Sequence, residues 1–317
     1  MIHPMPRAGR FSEFWALRDK VKSKRSVSNE ESFPKREGRR RESIWPSRSQ
    51  PKFAKPDGAR HELALVTGAS SGLGKALSQV LAKQKIPLIL VARNEEKLKK
   101  IASDLPVSSQ IYKADLADPE QRKELIKLIH RQKPDLIVNN AGFGLYGPTL
   151  IHPLSDLNAM VELNIRALME LSVESARALL KEKRKGTILN ISSAASFFPT
   201  PSFCLYSATK AFVNNFSEGL DGELRSHGIR VLTICPGQID TDFRKRASGD
   251  YPQKKDKITM SPEKAAELIL KQIDKGKPLS IIDWRYRVAV GLAKLLPKQL
   301  VQTLMKRSLD KRHDRSG

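Results

Sequence analysis

Cysteine is almost missing from this chain: Cys204 and Cys235 are the two present among 317 residues. Neither has metal-ligand spacing, which argues against both a disulfide scaffold and a zinc site and suits a reducing cytosol. Both are expected to be packing residues. Long apolar runs are missing as well. No stretch approaches the ~18 residues needed to cross a bilayer, and the N-terminus lacks the apolar core of a secretory signal. The expectation is a cytoplasmic protein, soluble or peripheral at a membrane. Acidic residues are the third shortage, with 34 Asp and Glu against 57 Lys and Arg and a net charge of +23. The length accommodates one large α/β domain with appendages, and a domain of that size buries about 75% of the surface its unfolded chain exposes.

The positive charge is uneven. Residues 1–60 hold the clusters Lys20-Val21-Lys22-Ser23-Lys24-Arg25 and Lys35-Arg36-Glu37-Gly38-Arg39-Arg40-Arg41, interleaved with Ser and Pro and without a sustained apolar period. Such a segment is expected to be mostly disordered, with a short helix over Phe11–Leu17. It is open to two readings: a solvated extension, or a tail that contacts anionic lipid or, less in keeping with the rest of the chain, nucleic acid.

From His61 onward the pattern changes. The apolar run Leu63-Ala64-Leu65-Val66 leads into the glycine turn Thr67-Gly68-Ala69-Ser70-Ser71-Gly72-Leu73-Gly74, followed by a helical pattern from Lys75 to Lys83. Strand, glycine turn and helix make a phosphate-binding layout. The glycines permit positive φ and close backbone approach, and the helix start offers free N–H groups with a partial positive charge. Downstream, apolar runs alternate with helical patterns. Strands are expected at Ile86–Val91, Gln110–Lys113, Leu136–Asn139, Gly186–Ser192, Arg230–Cys235 and Leu279–Ile282. Leu98 and Ile101 mark one helix, and others are expected over Glu120–His130, Leu157–Lys183 and Tyr206–Ser226, with Ser261 capping another that opens on Pro262. The alternation predicts a Rossmann-type, doubly wound parallel sheet of about seven strands, flanked by helices in a single domain.

Tyr206 and Lys210 stand one helical turn apart, on one face of their helix. Neither titrates near neutrality alone, at about 10 for tyrosine and about 10.4 for lysine. A neighbouring ammonium favours the phenolate and is expected to bring the tyrosine toward the range of acid–base catalysis.

The glycine spacing Gly-x-x-x-Gly-x-Gly, with Asn139-Asn140-Ala141-Gly142, Asn164, Ile191-Ser192-Ser193, Tyr206 to Lys210 and Pro236-Gly237 in that order, resembles the short-chain dehydrogenase/reductase family. The similarity runs from about residue 61 to about residue 278. It implies catalytic roles for Asn164, Ser193, Tyr206 and Lys210. Tyr206 would donate a proton to a carbonyl oxygen held by Ser193, thirteen positions upstream; Lys210 would tune Tyr206 and bond the nicotinamide ribose; Asn164 would interrupt its helix and hold a relay water. The resemblance also implies dinucleotide contacts from Gly68, Ser70, Ser71, Gly72, Leu73, Gly74, Asn140, Ala141, Gly142, Pro236, Gly237 and Thr241, with Asp115 and Leu116 near the adenine. One departure is Lys83-Gln84-Lys85 before the second strand, where the family often has glycine. Lysine there implies a strained left-handed turn or a different helix end.

Charge after the second strand addresses the cofactor. NAD sites place a carboxylate there for the ribose hydroxyls, whereas a 2′-phosphate is attracted by arginine. The chain reads Val91-Ala92-Arg93-Asn94, so NADP(H) is expected, with Arg93 on the 2′-phosphate and no metal. Phe143, Leu145, Tyr146, Phe197, Phe198, Pro199 and Phe243 lie after strands that reach the site and suggest an apolar ketone, aldehyde or 3-oxoacyl substrate. The tail 284–317 is basic and amphipathic and resembles tails in a bacterial subgroup of NADP-preferring reductases. It is open to closing over the site, forming an oligomer contact or lying on an anionic membrane, while the long helices before and after the fifth strand resemble those that form dimer and tetramer interfaces in the family, which implies a homo-oligomer. The expected reaction is NADPH-dependent carbonyl reduction; the alternatives are NADP-dependent alcohol oxidation and a non-catalytic nucleotide fold binding RNA or lipid through its basic ends.

Overall fold

The computed structural model describes residues 61–249 and 259–313. The expected helix over Phe11–Leu17 and both N-terminal basic clusters lie outside the described residues.

Seven parallel strands form one sheet in the order β3-β2-β1-β4-β5-β6-β7. They are β1 (Ala64–Thr67), β2 (Leu88–Ala92), β3 (Ser109–Lys113), β4 (Leu136–Asn139), β5 (Gly186–Ile191), β6 (Ile229–Cys235) and β7 (Leu279–Ile281). Every residue of β1, β2, β4 and β5 is buried, because helices cover both faces and leave no side of these strands for polar residues. The edge strand β3 instead mixes exposed and half-buried positions, with Gln110 and Lys113 outward. Register pairs Leu65 with Ile89 on one side and with Ile137 on the other. The order reverses between β1 and β4, so a crevice opens beyond their C-terminal ends.

Alternate strand residues feed two cores. Val66, Leu90, Val138, Leu189 and Ile234 face α1 (Gly72–Lys83), α2 (Glu95–Ser103) and, through Ala265, Ala266 and Ile269, the later helix Pro262–Lys275. Leu65, Ile89, Ile137, Ile188 and Val231 face α3 (Pro119–Gln132) and the helices after β4. Those helices fill the span expected over Leu157–Lys183, with the interruption at Asn164 that the resemblance implied. The chain forms α4 (Leu154–Val161), one π turn over Glu162–Ala167 and α5 (Leu168–Lys181).

The long helix α6 (Cys204–Leu224) is followed by α7 (Asp242–Ser248), α8 (Pro262–Lys275), α9 (Trp284–Ala293) and α10 (Lys298–His313). Ser261 caps α8 as expected, its hydroxyl accepting from the Lys264 N–H at 3.2 Å. Lys85 has φ +62, so the turn before β2 takes the left-handed form. Among the described residues no helix is long and apolar enough to cross a membrane.

Buried polar groups lock these elements. Arg122, 1% exposed, donates to Glu170 at 2.9 Å, Glu162 at 3.2 Å and the Leu116 carbonyl at 2.9 Å. One side chain thereby ties α3 to the π turn, to α5 and to the loop leaving β3. Asn139 donates to Ser172 and Asn190, and Asn190 donates to Ser217, a chain of amides and hydroxyls from β4 through β5 to α5 and α6. These bonds pair the Asn139 amide, the Asn190 amide and the serine hydroxyls, leaving Asn139 Oδ1 without a partner, and fix a single register.

Candidate active site

The crevice begins at the glycine turn. Gly68 and Gly72 adopt φ +65 and +52, which other residues reach only with strain. Gly74 is required for a different reason: a Cβ there would stand 2.2 Å from the Gly68 carbonyl oxygen and 2.7 Å from Asn140 Nδ2. Only a bare backbone lets α1 start this close to the turn. Ser71 occupies the cap position of α1 without a side-chain cap bond, and the first turn holds no acidic residue. The first N–H groups of α1 are therefore left for an anion.

Asn140 holds the opposite lip. Its amide donates to the Thr67 carbonyl at 2.9 Å, while the Thr67 hydroxyl accepts from the N–H groups of Asn140 and Ala141, each at 3.0 Å. Thr67 also donates to the Val138 carbonyl. It therefore joins β1 to β4 at the switch point. Sequence reading missed this role, since a threonine ending a strand looks like any other β-branched residue.

At the end of β2 Arg93 is 67% exposed and lies 3.8 Å from the Asp115 carboxylate, with the buried Ala92 before it and no carboxylate at that position. Leu116 is buried, its carbonyl held by Arg122. Thr241 meets Gly72, where a Cβ would come within 2.9 Å of the Thr241 methyl. An open cleft runs between Gly72, Lys75 and Gln79 on α1 and Asp240–Asp242 opposite. Gln238, next to Gly237, has a buried side-chain oxygen without a hydrogen-bond partner. Uncapped helix N–H groups, glycines with no room for side chains, an exposed guanidinium and an unpaired amide oxygen fit a phosphorylated dinucleotide such as NADP(H). Ser70 is half-buried in the same turn.

Tyr206, Lys210, Ser193 and Asn164 converge beyond β4 and β5. Tyr206 and Lys210 are 7% and 4% exposed. Lys210 Nζ donates to the Ile191 carbonyl at 2.9 Å and lies 5.8 Å from the centre of the Tyr206 ring. The Ser193 hydroxyl lies close enough to Tyr206 to favour its phenolate, and its oxygen accepts from the Ala195 N–H at 3.1 Å, opening a short 3-10 turn over Ala194–Phe197. The neighbouring Ser192 is committed elsewhere: it donates to the Lys210 carbonyl at 2.9 Å and holds α6 to β5.

Asn164 sits inside the π turn, where its side chain reads another loop. Its oxygen accepts from the Phe143 N–H at 3.1 Å, and its amide donates to the Phe143 carbonyl at 2.9 Å and to Thr209 Oγ1 at 3.2 Å. A helix interruption at Asn164 was expected; this clamp on the Phe143 backbone was not. A Cβ on Gly142 would meet Asn164 Oδ1 at 3.0 Å and Lys210 Nζ at 3.5 Å, so Gly142 lies between the two. Thr209, 0% exposed, was also missed, although it lies within the Tyr206–Lys210 stretch.

The electrostatics differ from expectation. Burial pushes Tyr206 up to about 12, with the Ser193 hydroxyl pulling the other way. Burial brings Lys210 down to about 8. Desolvation thus outweighs the anticipated pull of the ammonium on the phenol, because Lys210 gives its hydrogen bond to the Ile191 carbonyl. At neutral pH Tyr206 keeps a proton to give, and Lys210 is mostly protonated but within reach of titration.

Aromatic rings wall this pocket. Phe203 stacks on Tyr206 with centroids 4.3 Å apart, Phe243 leans on Tyr206 at 5.5 Å, and Tyr146 tilts against Phe203 at 6.4 Å. Phe203 carried no sequence signal. Gly144 is fixed by the same stack, since its Cβ would come within 2.9 Å of the Phe203 ring. Tyr286 of α9 covers Gly237, where a Cβ would overlap its ring at 2.3 Å. Phe143, Leu145, Phe197 and Phe198 are half-buried, whereas Pro199 is exposed. Cys235 is buried, as expected, and its thiol is pushed up to about 12 by that burial. Cys204 corrects the packing expectation: it is exposed at the first position of α6, outside either core.

Residues 62–252 match the profile of the family described as short chain dehydrogenase. An uncharacterised oxidoreductase of Staphylococcus aureus strain MW2 is 31% identical over 212 residues, covering 66% of this chain and 89% of that protein. A short-chain dehydrogenase from Sphingobium yanoikuyae, solved in complex with NADPH, superposes with TM-score 0.64 at 27% identity over 73% of this chain and 93% of its own. A bulky-bulky ketone specific alcohol dehydrogenase from Comamonas testosteroni superposes with TM-score 0.62 at 25% identity over 76% and 96%.

Proposed function

The chain belongs to the short-chain dehydrogenase family and is an oxidoreductase, and from that premise we propose that it reduces an apolar carbonyl compound to an alcohol with NADPH. The observation that carries this reading is the Tyr206 phenol, still protonated at neutral pH, beside Ser193 and stacked under Phe203 at the end of the crevice. A bound dinucleotide supplies hydride to the substrate carbon.

The chain's own residues do the rest. Ser193 orients the carbonyl oxygen, and Tyr206 donates its proton to that oxygen as charge develops there. Lys210, cationic below about pH 8, offsets charge on the phenolate that forms and offers a donor to the nicotinamide ribose. Asn164 holds the Phe143 backbone and Thr209, which keeps the floor beside Lys210 in one conformation and supports a water that returns the proton. The aromatic walls exclude bulk water and favour a flat or bulky apolar substrate. A relative named for bulky-bulky ketones supports that class.

NADPH rather than NADH is supported by Arg93 and by the absence of a carboxylate at Ala92, with Ser70 near enough in the turn to add a hydroxyl. Asp115 and Leu116 would frame the adenine of a bound cofactor, and Asn140, Ala141, Gly142, Pro236, Gly237 and Thr241 would line its nicotinamide half. The same groups run in reverse as alcohol oxidation, direction following the cofactor ratio. A homo-oligomer through the outer face of α6, where Phe212 stacks on Phe216 at 5.5 Å, completes the proposal, with residues 61–283 as the catalytic domain between two basic appendages.

The test is an NADPH-oxidation screen over bulky ketones, aldehydes and 3-oxoacyl thioesters, with Tyr206→Phe as control. Turnover with NADPH that falls at least about a thousandfold in the Phe variant, while NADPH binding stays within about threefold, supports the mechanism. A Phe variant that keeps its activity, or a preference for NADH, overturns it.

A further inference from the structure

Helix α9 has two faces of opposite character. At 100° per residue, Tyr286 and Val290 lie on one side; Val290 is 4% exposed and Tyr286 covers Gly237. The other side carries Trp284, Val288, Leu292 and, two residues past the helix end, Leu295, at 68%, 52%, 60% and 82% exposure. Leu300 and Leu304 on α10 are each 45% exposed. An unpartnered apolar stripe of this length on a surface marks an interaction site.

Charge identifies the occupant. The segment 284–317 holds nine Lys and Arg against two Asp. Arg287, Lys294, Lys306 and Arg307 are exposed around the stripe. A second copy would bring the same excess of positive charge against itself, whereas a negatively charged lipid surface takes up the apolar stripe and the basic flanks together.

Position gives the contact a purpose. Helix α9 leaves the C-terminal end of β7, at the same end of the sheet as the crevice, and touches the turn Ala194–Phe197 that follows Ser193. We propose that α9, through Trp284, Val288, Leu292 and Leu295 with their flanking basic residues, docks the protein on anionic lipid surfaces and sets the mouth of the site against the acyl-chain region. An apolar substrate then enters from the membrane without crossing water. The docking step stands apart from the carbonyl-reductase reading, since it is measured without turnover.

The experiment uses the full chain carrying Trp15→Phe and Trp45→Phe, so that Trp284 is the one remaining tryptophan. It is mixed with vesicles of phosphatidylcholine alone or with one third phosphatidylglycerol, at physiological salt. The expected result is sedimentation with the anionic vesicles only, a blue-shifted Trp284 emission, and quenching by brominated acyl chains. Val288→Gln with Leu292→Gln, on exposed positions, lowers partitioning at least tenfold and leaves NADPH binding unchanged. Three results overturn the proposal: vesicle binding equal in the Gln variant, which assigns it to the basic N-terminal segment alone; Trp284 unquenched in bound protein; or a dimer lost in the Gln variant without vesicle binding in either form, which assigns the stripe to a second copy.

Discussion

Replacing Gly74 by alanine tests whether the start of α1 is built as an anion cradle. The added methyl would stand 2.2 Å from the Gly68 carbonyl oxygen and 2.7 Å from Asn140 Nδ2. Ordinary contact needs about 3.4 Å or more between such atoms, so the helix start must retreat from the turn by roughly 1 Å. Asn140 cannot yield freely, because its amide holds the Thr67 carbonyl at 2.9 Å and so ties β4 to β1. Overpacking of this kind costs about 1–3 kcal/mol, or roughly 3–10 °C in Tm for a domain of this size. The same retreat pulls the uncapped N–H groups of α1 away from a pyrophosphate. Losing one or two charge-assisted hydrogen bonds of about 1.5–3 kcal/mol each weakens NADPH binding at least tenfold. Thermal unfolding and NADPH fluorescence titration read the two effects separately. Gly291→Ala on α9, where a Cβ meets nothing within 4 Å, serves as the control and lowers neither quantity. A Gly74→Ala protein with wild-type Tm and NADPH affinity would refute the cradle.

Three further outcomes follow from the same geometry. Lys210 is held down to about 8 by burial and carries its charge below that value, so the rate of carbonyl reduction at low substrate is level up to about pH 7 and falls as pH rises through about 8; a flat profile to pH 10 removes Lys210 from the proton-transfer step. Arg93→Ala raises the KM for NADPH about tenfold or more through loss of a charge-assisted contact and leaves that for NADH within about twofold; equal effects on both would place Arg93 off the 2′-phosphate. Arg122→Met removes the buried cation between Glu162 and Glu170 and leaves them only Arg166, which pairs with both from the surface at 3.1 and 3.3 Å. Both carboxylates are about 30% exposed, so water and Arg166 recover part of the loss, and equilibrium unfolding is expected to show a destabilisation of about 2–3 kcal/mol.

Most of the fold was legible because parallel strands buried on both faces must be short apolar runs, and each run expected from the sequence is a strand in the sheet. Ends shifted by a residue or two, as at β2, which begins at Leu88 after Pro87 rather than at Ile86. Over Leu157–Lys183 the local pattern is helical throughout; the resemblance implied an interruption at Asn164, and a π turn stands there, with Asn164 bonded to Phe143 twenty-one positions away in sequence. Cys204 was the larger error: its neighbours are apolar, but the first residue of α6 faces outward.

The sequence by itself determined which groups are available for chemistry: a glycine turn at a helix start, an arginine after the second strand, and asparagine, serine, tyrosine and lysine in one order. These follow from local spacing, which backbone geometry translates directly into proximity along a helix or around a turn. Only the tertiary structure decided the environment of those groups. Phe203 and Phe243 against Tyr206, Thr67 across β1 and β4, Tyr286 on Gly237, and the burial that sends Tyr206 and Lys210 in opposite directions all arise between distant segments. Desolvation depends on everything packed around a group, and no stretch of chain contains that information alone.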